Sequence, residues 1–270
     1  MKLVIEPGRT ARNYWRDLWH YRELMYFLAW RDLAVRYKQT AIGVAWALIR
    51  PALTMAVFVV FRRFVGIPAG SVPDPILVLA AVLPWQFFAA ALTDSSGSLI
   101  ANTNLISKIY FPRLIVPGAA VVTALVDFVI TLGMLAVLMA WYGFAPGWQL
   151  LALPVFVAIT FGLSLGFGVF LAALNVEYRD FRYVVPFIVQ FGLFISPIAF
   201  TTDQVPERWR SWYELNPMVG IIDGFRWSVL GGRTPLNLDA VTLSLAMTLF
   251  FLVLGVWYFR RVERRFADVI

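Results

Sequence analysis

Residues 114–141 read LIVPGAAVVTALVDFVITLGMLAVLMAW, and this stretch decides the class of fold. It carries a single charged side chain, Asp127, near its middle. A helix needs about 20 predominantly apolar residues to cross the hydrocarbon core of a bilayer, and this stretch is longer than that. The sequence therefore predicts a membrane-spanning helix here.

The rest of the chain has the same apolar character. Its 270 residues are 60% hydrophobic and 14% charged, whereas an ordinary globular chain is about 25% charged. Stretches that are long and apolar enough to span a bilayer occur at 39–61, 75–93, 114–141, 150–174, 183–200 and 240–259. We predict an all-α integral membrane protein with six transmembrane helices, forming a transmembrane domain over residues 39–259.

Two of these spans have unusual local features. The fifth, 183–200, is the weakest of the six because it is short and contains two prolines and Gln190. The fourth carries Gly162 and Gly166, a small-xxx-small pair that lets another helix approach closely. The alternative is that these glycines are simply tolerated in a helix that faces lipid.

Six crossings place both termini on the same side, and the basic residues select that side. Sixteen of the 23 Lys and Arg residues lie on the side of the termini, and six lie in the opposite loops. Cytoplasmic loops carry the excess of Lys and Arg, so we expect cytoplasmic termini in a plasma-membrane protein, with 260–270 as a basic cytoplasmic tail. We interpret the net charge of +7 as basic residues that set the orientation in the membrane and contact anionic lipid headgroups, rather than as a nucleic-acid-binding surface.

The sequence has few residues that could catalyse a reaction or bind a metal. It has no cysteine and one histidine, His20, which excludes disulfides, cysteine metal sites and a catalytic histidine pair. A membrane-bound enzyme needs clustered carboxylates and an ion channel needs a selectivity filter, and neither pattern is present. A G-x-x-x-x-G-K-[S/T] phosphate loop is also absent, so we do not expect this chain to bind ATP or another cofactor.

Two cytoplasmic segments have amphipathic character. Residues 1–38 combine arginines with tryptophans, which suits a helix in the membrane interface, either as a plain anchor or as a collar at a transport pathway. The loop 94–113 contains an apolar stripe from Leu99 to Tyr110 that ends before Pro112. A short helix of this kind docks on a partner or rests on the bilayer, and the sequence leaves both readings open.

Six blocks of sequence occur in order along the chain. They are WRDLAVRYKQTAIGVAW (30–46), LPWQFF (83–88), NTNLISKIYFPR (102–113), ISPIAF (195–200), LNPM (215–218) and GFR (224–226). Together they resemble the permease subunits of ABC-2 type exporters, specifically the polysaccharide and teichoic-acid group that includes the O-antigen permeases. The resemblance extends over most of the chain.

This resemblance implies a homodimer of six-helix subunits around a channel that moves a lipid-linked polysaccharide out of the cytoplasm across the inner membrane. Two copies of a separate ATPase subunit would bind the ATP and Mg²⁺. It also implies a coupling helix over 102–110, which receives the ATPase stroke, and re-entrant gate helices at the periplasmic face within 201–235. The implied coupling residues are Asn102, Asn104, Leu105, Lys108 and Tyr110, and the implied gate residues are Pro206, Trp209, Trp212, Pro217 and Arg226.

Aromatic and charged residues within the spans are candidates for the substrate pathway. The faces of sugar rings pack well on aromatic rings, so Trp85, Phe87 and Phe88 in the second span are candidates, with core or lipid-facing positions as the alternative. Arg50 lies inside the first span, where charge is costly. We expect Arg50 either to pair with Asp127 or to face a water-filled pathway.

Basic residues before the first span are candidates for binding the pyrophosphate of such a substrate. They are Arg31, Arg36 and Lys38, and guanidinium groups bind phosphate oxygens well. The alternative is that Asp32 pairs with Arg36, four residues further along a helix.

A permease of the same fold could instead export teichoic acid, another lipid or a drug.

Overall fold

The computed structural model describes residues 14–38, 43–67, 70–178, 180–263 and 266, and these form helices and loops without a strand. Predicted features at 1–13, 39–42, 264–265 and 267–270 lie outside the described residues. The helices are α1 Tyr14–His20, α2 Arg22–Lys38, α3 Ala45–Val65, α4 Asp74–Ala101, α5 Thr103–Lys108, α6 Ile115–Trp141, α7 Leu153–Glu177, α8 Phe181–Ile195, α9 Glu207–Tyr213, α10 Pro217–Val229 and α11 Leu238–Val262. Short 3₁₀ turns cover Trp148–Ala152 and Thr202–Gln204.

Five helical stretches in the described part of the chain are long and apolar enough to cross a membrane. They are α3, α4, α6, α11 and the stretch Trp148–Glu177, which contains α7. The shortest of them, α3, has 21 residues and is about 31 Å long at a rise of 1.5 Å per residue. The prediction of an all-helical membrane protein is thus confirmed.

The predicted fifth span is shorter than its sequence suggests. α8 has 15 residues and is therefore about 22 Å long, against a hydrocarbon thickness of about 30 Å. It ends at Ile195 because Ser196 precedes Pro197, and a residue before proline is driven out of the helical region. Ser196 is extended, with φ −89° and ψ 153°.

The second span continues beyond its predicted end at 93. The polar residues that follow remain helical up to Ala101, and the Ser98 hydroxyl donates to the Ser95 carbonyl (2.7 Å). A Cβ placed on Gly168 of α7 would lie 2.7 Å from Ser95 Oγ, so α7 packs closely on these small side chains. Leu99 accordingly belongs to buried α4 and not to the stripe of a coupling helix.

α7 and α11 approach each other closely where both carry glycine. A Cβ on Gly166 would lie 2.5 Å from the backbone nitrogen of Leu252, and a Cβ on Gly255 would lie 2.1 Å from the Gly166 carbonyl oxygen. A Cβ on Gly162 would lie 3.0 Å from Thr248. The prediction that Gly162 and Gly166 admit a neighbouring helix is confirmed.

α4 is the central helix of the protein. It packs against α3, α6, α7, α8 and α10, and most of its side chains are buried. α3 and α8 have few buried side chains and lie at the periphery, each with an exposed apolar face. α3 and α8 thus each leave apolar surface uncovered within this single chain.

Candidate coupling, gate and pathway sites

α2 packs along the first half of α6. A Cβ on Gly118 of α6 would lie 3.6 Å from Met25 Sδ, and Thr123 Oγ1 lies 3.5 Å from the Ala29 carbonyl oxygen. Because residue numbers rise together on the two helices, they run parallel. The opposite face of α2 leaves Trp30 exposed, so the helix is amphipathic with one side docked on protein.

Arg36 joins three helices near the end of α2. Its guanidinium contacts the Asp127 carboxylate on α6 and donates to Asp94 on α4 (2.7 Å). The Tyr37 hydroxyl donates to the other Asp127 oxygen. The predicted Arg50–Asp127 pair is therefore wrong, since Arg36 and Tyr37 occupy that carboxylate. The sequence did not reveal that α2 folds back onto α6 and brings a nearer cation.

Arg31 links α2 to Asn102, the first residue of the predicted coupling segment, as we call residues 102–113. Its guanidinium donates to Asp32 (2.7 Å) and to the Asn102 side-chain oxygen (2.9 Å). The predicted alternative, an Asp32–Arg36 pair, is also wrong, because Arg31 holds Asp32 while Arg36 binds carboxylates on two other helices. Lys38 is exposed at the end of α2.

The predicted coupling segment is held at both ends. Asn102 receives Arg31 at one end, and at the other end the Arg113 guanidinium donates to the Glu263 carbonyl (2.5 Å) at the end of α11. Between them α5 covers Thr103–Lys108 and buries Ile106, with Leu105 partly buried. The exposed side chains in this stretch are those of Asn104, Ser107, Lys108, Ile109 and Tyr110.

α10 is buried at the opposite end of the bundle. The Asn216 side chain accepts from the Met218 amide (3.0 Å) and caps the helix, with Pro217 as its first residue. A Cβ on Gly220 would lie 2.2 Å from the carbonyl oxygen of Ala240 on α11. The sequence LNPM is therefore a helix start, followed by a glycine where two backbones meet.

Two buried arginines hold the turn that follows α8. Arg226 is 1% exposed and donates to the carbonyls of Ile198 (2.8 Å) and Phe200 (3.0 Å), as well as to that of Leu77. Arg62 donates to the intervening Ala199 carbonyl (2.7 Å) and to Asp74. We call Arg62, Arg226 and the turn 198–200 the arginine clasp. Arg226 is among the gate residues predicted from the sequence, and Arg62 is not.

The remaining gate candidates lie on the surface around this clasp. Pro206 precedes α9 and is exposed. Trp209 and Trp212 on α9 are 56% and 71% exposed, which suits side chains in a membrane interface. Pro217 is partly buried at the start of α10. The structure thus brings these residues to one end of the molecule.

A polar cavity of about 240 Å³ lies beside the clasp. It is lined by the turn 201–203, by Arg210, Asp223 and Arg226, and by residues 234–237. Burial raises the pKa of Asp223 to about 6, and the Asp203 and Glu214 carboxylates act in the same direction while Arg226 opposes them. Asp223 is thus a carboxyl group whose charge changes slightly below neutral pH.

The predicted pathway aromatics lie in the core. Trp85, Phe87 and Phe88 are each at most 5% exposed. Trp85 packs against Gly192 of α8, where a Cβ would lie 2.4 Å from its ring, and the Phe87 ring lies 5.2 Å from that of Phe128. These positions match the core alternative rather than a pathway within the single chain.

A different aromatic row is exposed on α8. It consists of Tyr183, Phe187, Phe191 and Phe194, spaced by four, four and three residues, so that they share one face of the helix. The Phe187 and Phe191 ring centroids are 4.1 Å apart. α3 is also peripheral and exposes Arg50. The four-, four- and three-residue spacing of the aromatics on α8 could have predicted this row from the sequence alone.

A model of the ABC-2 type transporter family matches residues 23–230. This chain belongs to the ABC-2 type transporter family. The matched range begins in α2 and ends directly after α10, so it includes the Arg36 contacts, the coupling segment and the arginine clasp.

Several relatives of this ABC-2 transporter resemble it over nearly their full length. The O-antigen export system permease protein RfbA of Myxococcus xanthus is 29% identical over 262 residues, which cover 94% of this chain and 98% of the relative. An RfbA of Klebsiella pneumoniae is 27% identical over 256 residues, covering 92% and 95%. The polysialic acid transport protein KpsM of Escherichia coli is 25% identical over 240 residues, covering 86% and 91%.

Four of the six sequence blocks of this ABC-2 transporter meet in two separate pairs. Block 30–46 supplies Arg31 and Arg36, and block 102–113 is the segment held between α2 and α11. Blocks 195–200 and 224–226 meet in the arginine clasp. Their shared feature is polar side chains that join separate helices.

Proposed function

We propose that this chain is the permease subunit of an ATP-driven exporter that moves a lipid-linked polysaccharide from the cytoplasm across the inner membrane. The observation that carries the proposal is the match of nearly the whole chain to relatives named for O-antigen export and polysialic acid transport. ATP and Mg²⁺ belong to a separate ATPase subunit, and this chain does not hydrolyse ATP itself. Teichoic acid, another lipid or a drug is the alternative cargo.

α8 counts as a sixth crossing in this proposal. Glu177, which precedes α8, accepts a hydrogen bond from Tyr258 near the end of α11 (2.6 Å). Phe200, which follows α8, is held by Arg226 at the other end of the bundle. The chain therefore passes from one end of the bundle to the other between these residues. Six crossings, with the basic tail on the inner side, place both termini in the cytoplasm.

The exposed middle of the coupling segment is the proposed docking site of the ATPase. Its ends are fixed to α2 and α11, so a push on α5 moves those helices together with it. Two copies of the ATPase would bind a permease dimer, one at each α5. The gate would lie at the opposite end, where α9 exposes its tryptophans to the interface.

The absence of cysteine in the chain allows a direct test of this docking. Ser107→Cys lies on α5, and Ser211→Cys on α9 is the matched control, since both serines are exposed. With cysteines introduced into the ATPase surface, we expect cross-linking to the 107 variant and not to the 211 variant. Cross-linking of both variants, or of position 211 alone, would refute the proposed docking side.

We assign the substrate path to the exposed faces of α3 and α8, which together we call the outer face. A second copy of the chain would lie opposite. This face carries Arg50 and the aromatic row, groups suited to a phosphate and to sugar rings. Among the three basic candidates we retain Lys38 as the pyrophosphate contact, because Arg31 and Arg36 are engaged in holding α2.

The decisive experiment measures ATP hydrolysis by the permease with its ATPase subunit in lipid nanodiscs. A lipid-linked polysaccharide should raise the rate, and the matching lipid carrier without glycan should not. Teichoic acid, a simple lipid and a hydrophobic drug complete the panel. Stimulation by the drug or the lipid alone would refute the assignment to polysaccharide.

A further inference from the structure

A groove of about 700 Å³ opens on the surface between α1 and the last third of α11. Its wall is apolar and consists of Leu252, Val253 and Val256. Trp15 and Trp257 border it, and Val253 is 71% exposed. On a membrane span, an exposed apolar groove of this kind is filled by lipid, because lipid is the solvent there.

One end of this groove is cationic. Arg260 and Arg261 line it, directly after the apolar wall. The Arg261 guanidinium lies 5.5 Å from the centre of the Trp257 ring, and the Arg260 guanidinium lies 4.7 Å from that of Tyr14. Stacking on aromatic rings fixes where the two planar guanidinium groups point, which favours an anion that accepts two hydrogen bonds from one guanidinium, such as a phosphate.

The spacing of the two parts fits an amphipathic ligand. At a rise of 1.5 Å per residue, Arg261 lies about 12 Å further along α11 than Val253. A ligand that satisfies both combines an anionic head group with an apolar chain. The nearby Glu263 carboxylate accepts from the Arg113 backbone amide (3.0 Å), which associates this carboxylate with the coupling segment.

We propose that this groove binds an anionic glycerophospholipid of the cytoplasmic leaflet, with its phosphate at Arg260 and Arg261 and its acyl chains along Leu252, Val253 and Val256. Charge complementarity selects an anionic headgroup, and tryptophans favour the depth at which headgroups meet acyl chains. The lipid holds α1 against α11 beside Glu263, and through Glu263 it stabilises the Arg113 end of the coupling segment. This site is separate from the proposed path of the exported substrate.

The test measures lipid that remains bound to the permease–ATPase complex in native mass spectrometry after detergent exchange. Phosphatidylglycerol should stay bound at about one per permease chain, and phosphatidylcholine should not. Removing one guanidinium near the membrane surface weakens such binding about fivefold, so Arg261→Gln should lose most of the bound phosphatidylglycerol. The matched control is Arg63→Gln, an exposed arginine at the far end of α3, which should retain it.

Four results would overturn the proposal. Equal retention of both phospholipids, or an unchanged amount in Arg261→Gln, would remove the charge-based site. Displacement of phosphatidylglycerol by a polyprenyl diphosphate would assign the groove to the transported substrate. Loss of the permease dimer in Arg261→Gln, with unchanged lipid per chain, would assign it to contact between copies. The lipid measurement needs no transport, so its failure leaves the proposed export function untouched.

Discussion

At the scale of single residues, the Arg36 contacts show how one cation holds α2 in place. Its guanidinium lies between Asp94 and Asp127, and the Asp127 side chain is only 19% exposed. Removing the cation leaves both carboxylates without this positive charge, and Asp127 keeps only the hydrogen bond from Tyr37 among the contacts described above. Removing one partner of a partly buried ion pair destabilises a protein strongly, because the other charge is left without its partner. An exposed ion pair between neighbouring residues contributes little to stability.

We therefore expect Arg36→Gln to destabilise the protein by about 1–3 kcal/mol, seen as a lower thermal unfolding temperature in detergent. Asp32→Asn is the matched control, because its pair with Arg31 joins adjacent residues of α2 rather than separate helices, and it should change stability by less than about 1 kcal/mol. Combining Arg36→Gln with Asp127→Asn should recover part of the loss. A control as destabilised as Arg36→Gln would contradict this account.

Asp223 predicts a dependence of stability on pH. Its pKa of about 6 in the folded protein lies above the ordinary value of about 3.9. Between these values the folded state binds more protons than the unfolded state, so the free energy of unfolding falls as pH rises from about 4 to 6. Above that window Asp223 is fully ionised in the folded protein, and this lowers the free energy of unfolding by roughly 2–3 kcal/mol.

Asp223→Asn should thus be more stable than the parent protein at pH 7.5, and its unfolding temperature should vary less between pH 5 and 7. Asp203→Asn is the control at the same cavity, because Asp203 is exposed and its removal changes the environment of Asp223 only slightly. Identical pH profiles for Asp223→Asn and the parent protein would refute the assigned pKa.

At the scale of helices, glycines set how closely α10 lies against α11. A Cβ on Gly220 would meet the backbone of Ala240, so one helix must move to admit it. Gly97 on α4 has open space around its would-be Cβ. The two glycines are therefore a matched pair. Close packing disfavours an alanine at Gly220, whereas helix propensity favours an alanine at Gly97.

Gly220→Ala should destabilise the protein by about 1–3 kcal/mol through overpacking of α10 against α11. Gly97→Ala should be neutral or slightly stabilising, because alanine favours a helix over glycine by up to about 1 kcal/mol. Thermal unfolding of both variants in the same detergent checks this. Equal effects would mean that α10 is not held against α11 in this way.

Hydropathy predicted helices at this scale because lipid forces long apolar stretches to be helical. α6 and α11 lie close to the predicted 114–141 and 240–259. The extension of α4 past residue 93 was not predicted, because Ser95 and Ser98 are polar. Their side chains are also small, and it is their small size that allows α4 to stay packed against its neighbours. The docking of α2 on α6 escaped it too, because Arg36 and Asp127 are far apart in sequence.

At the scale of the whole molecule, the length of α8 argues for a partner on the outer face. In the proposed six-span arrangement, a helix of about 22 Å is shorter than the hydrocarbon core of about 30 Å, and such a mismatch is accommodated by thinning the bilayer or by oligomerising. The aromatic row of α8 supplies a flat, exposed contact surface on that side. A second copy packed there would enclose a space between the two chains.

The proposed dimer can be tested with single cysteines, since the chain contains none. Phe191→Cys on α8 should form a covalent dimer with a short thiol cross-linker in membranes, because the two copies would bring this face together. Leu249→Cys on α11 is the control, because it is equally lipid-accessible in one chain at 55% exposed but lies on another helix. Cross-linking at 249 and not at 191 would move the interface to α11. That outcome would also move the substrate path away from Arg50 and the aromatic row, because a path between two copies must follow the face they share.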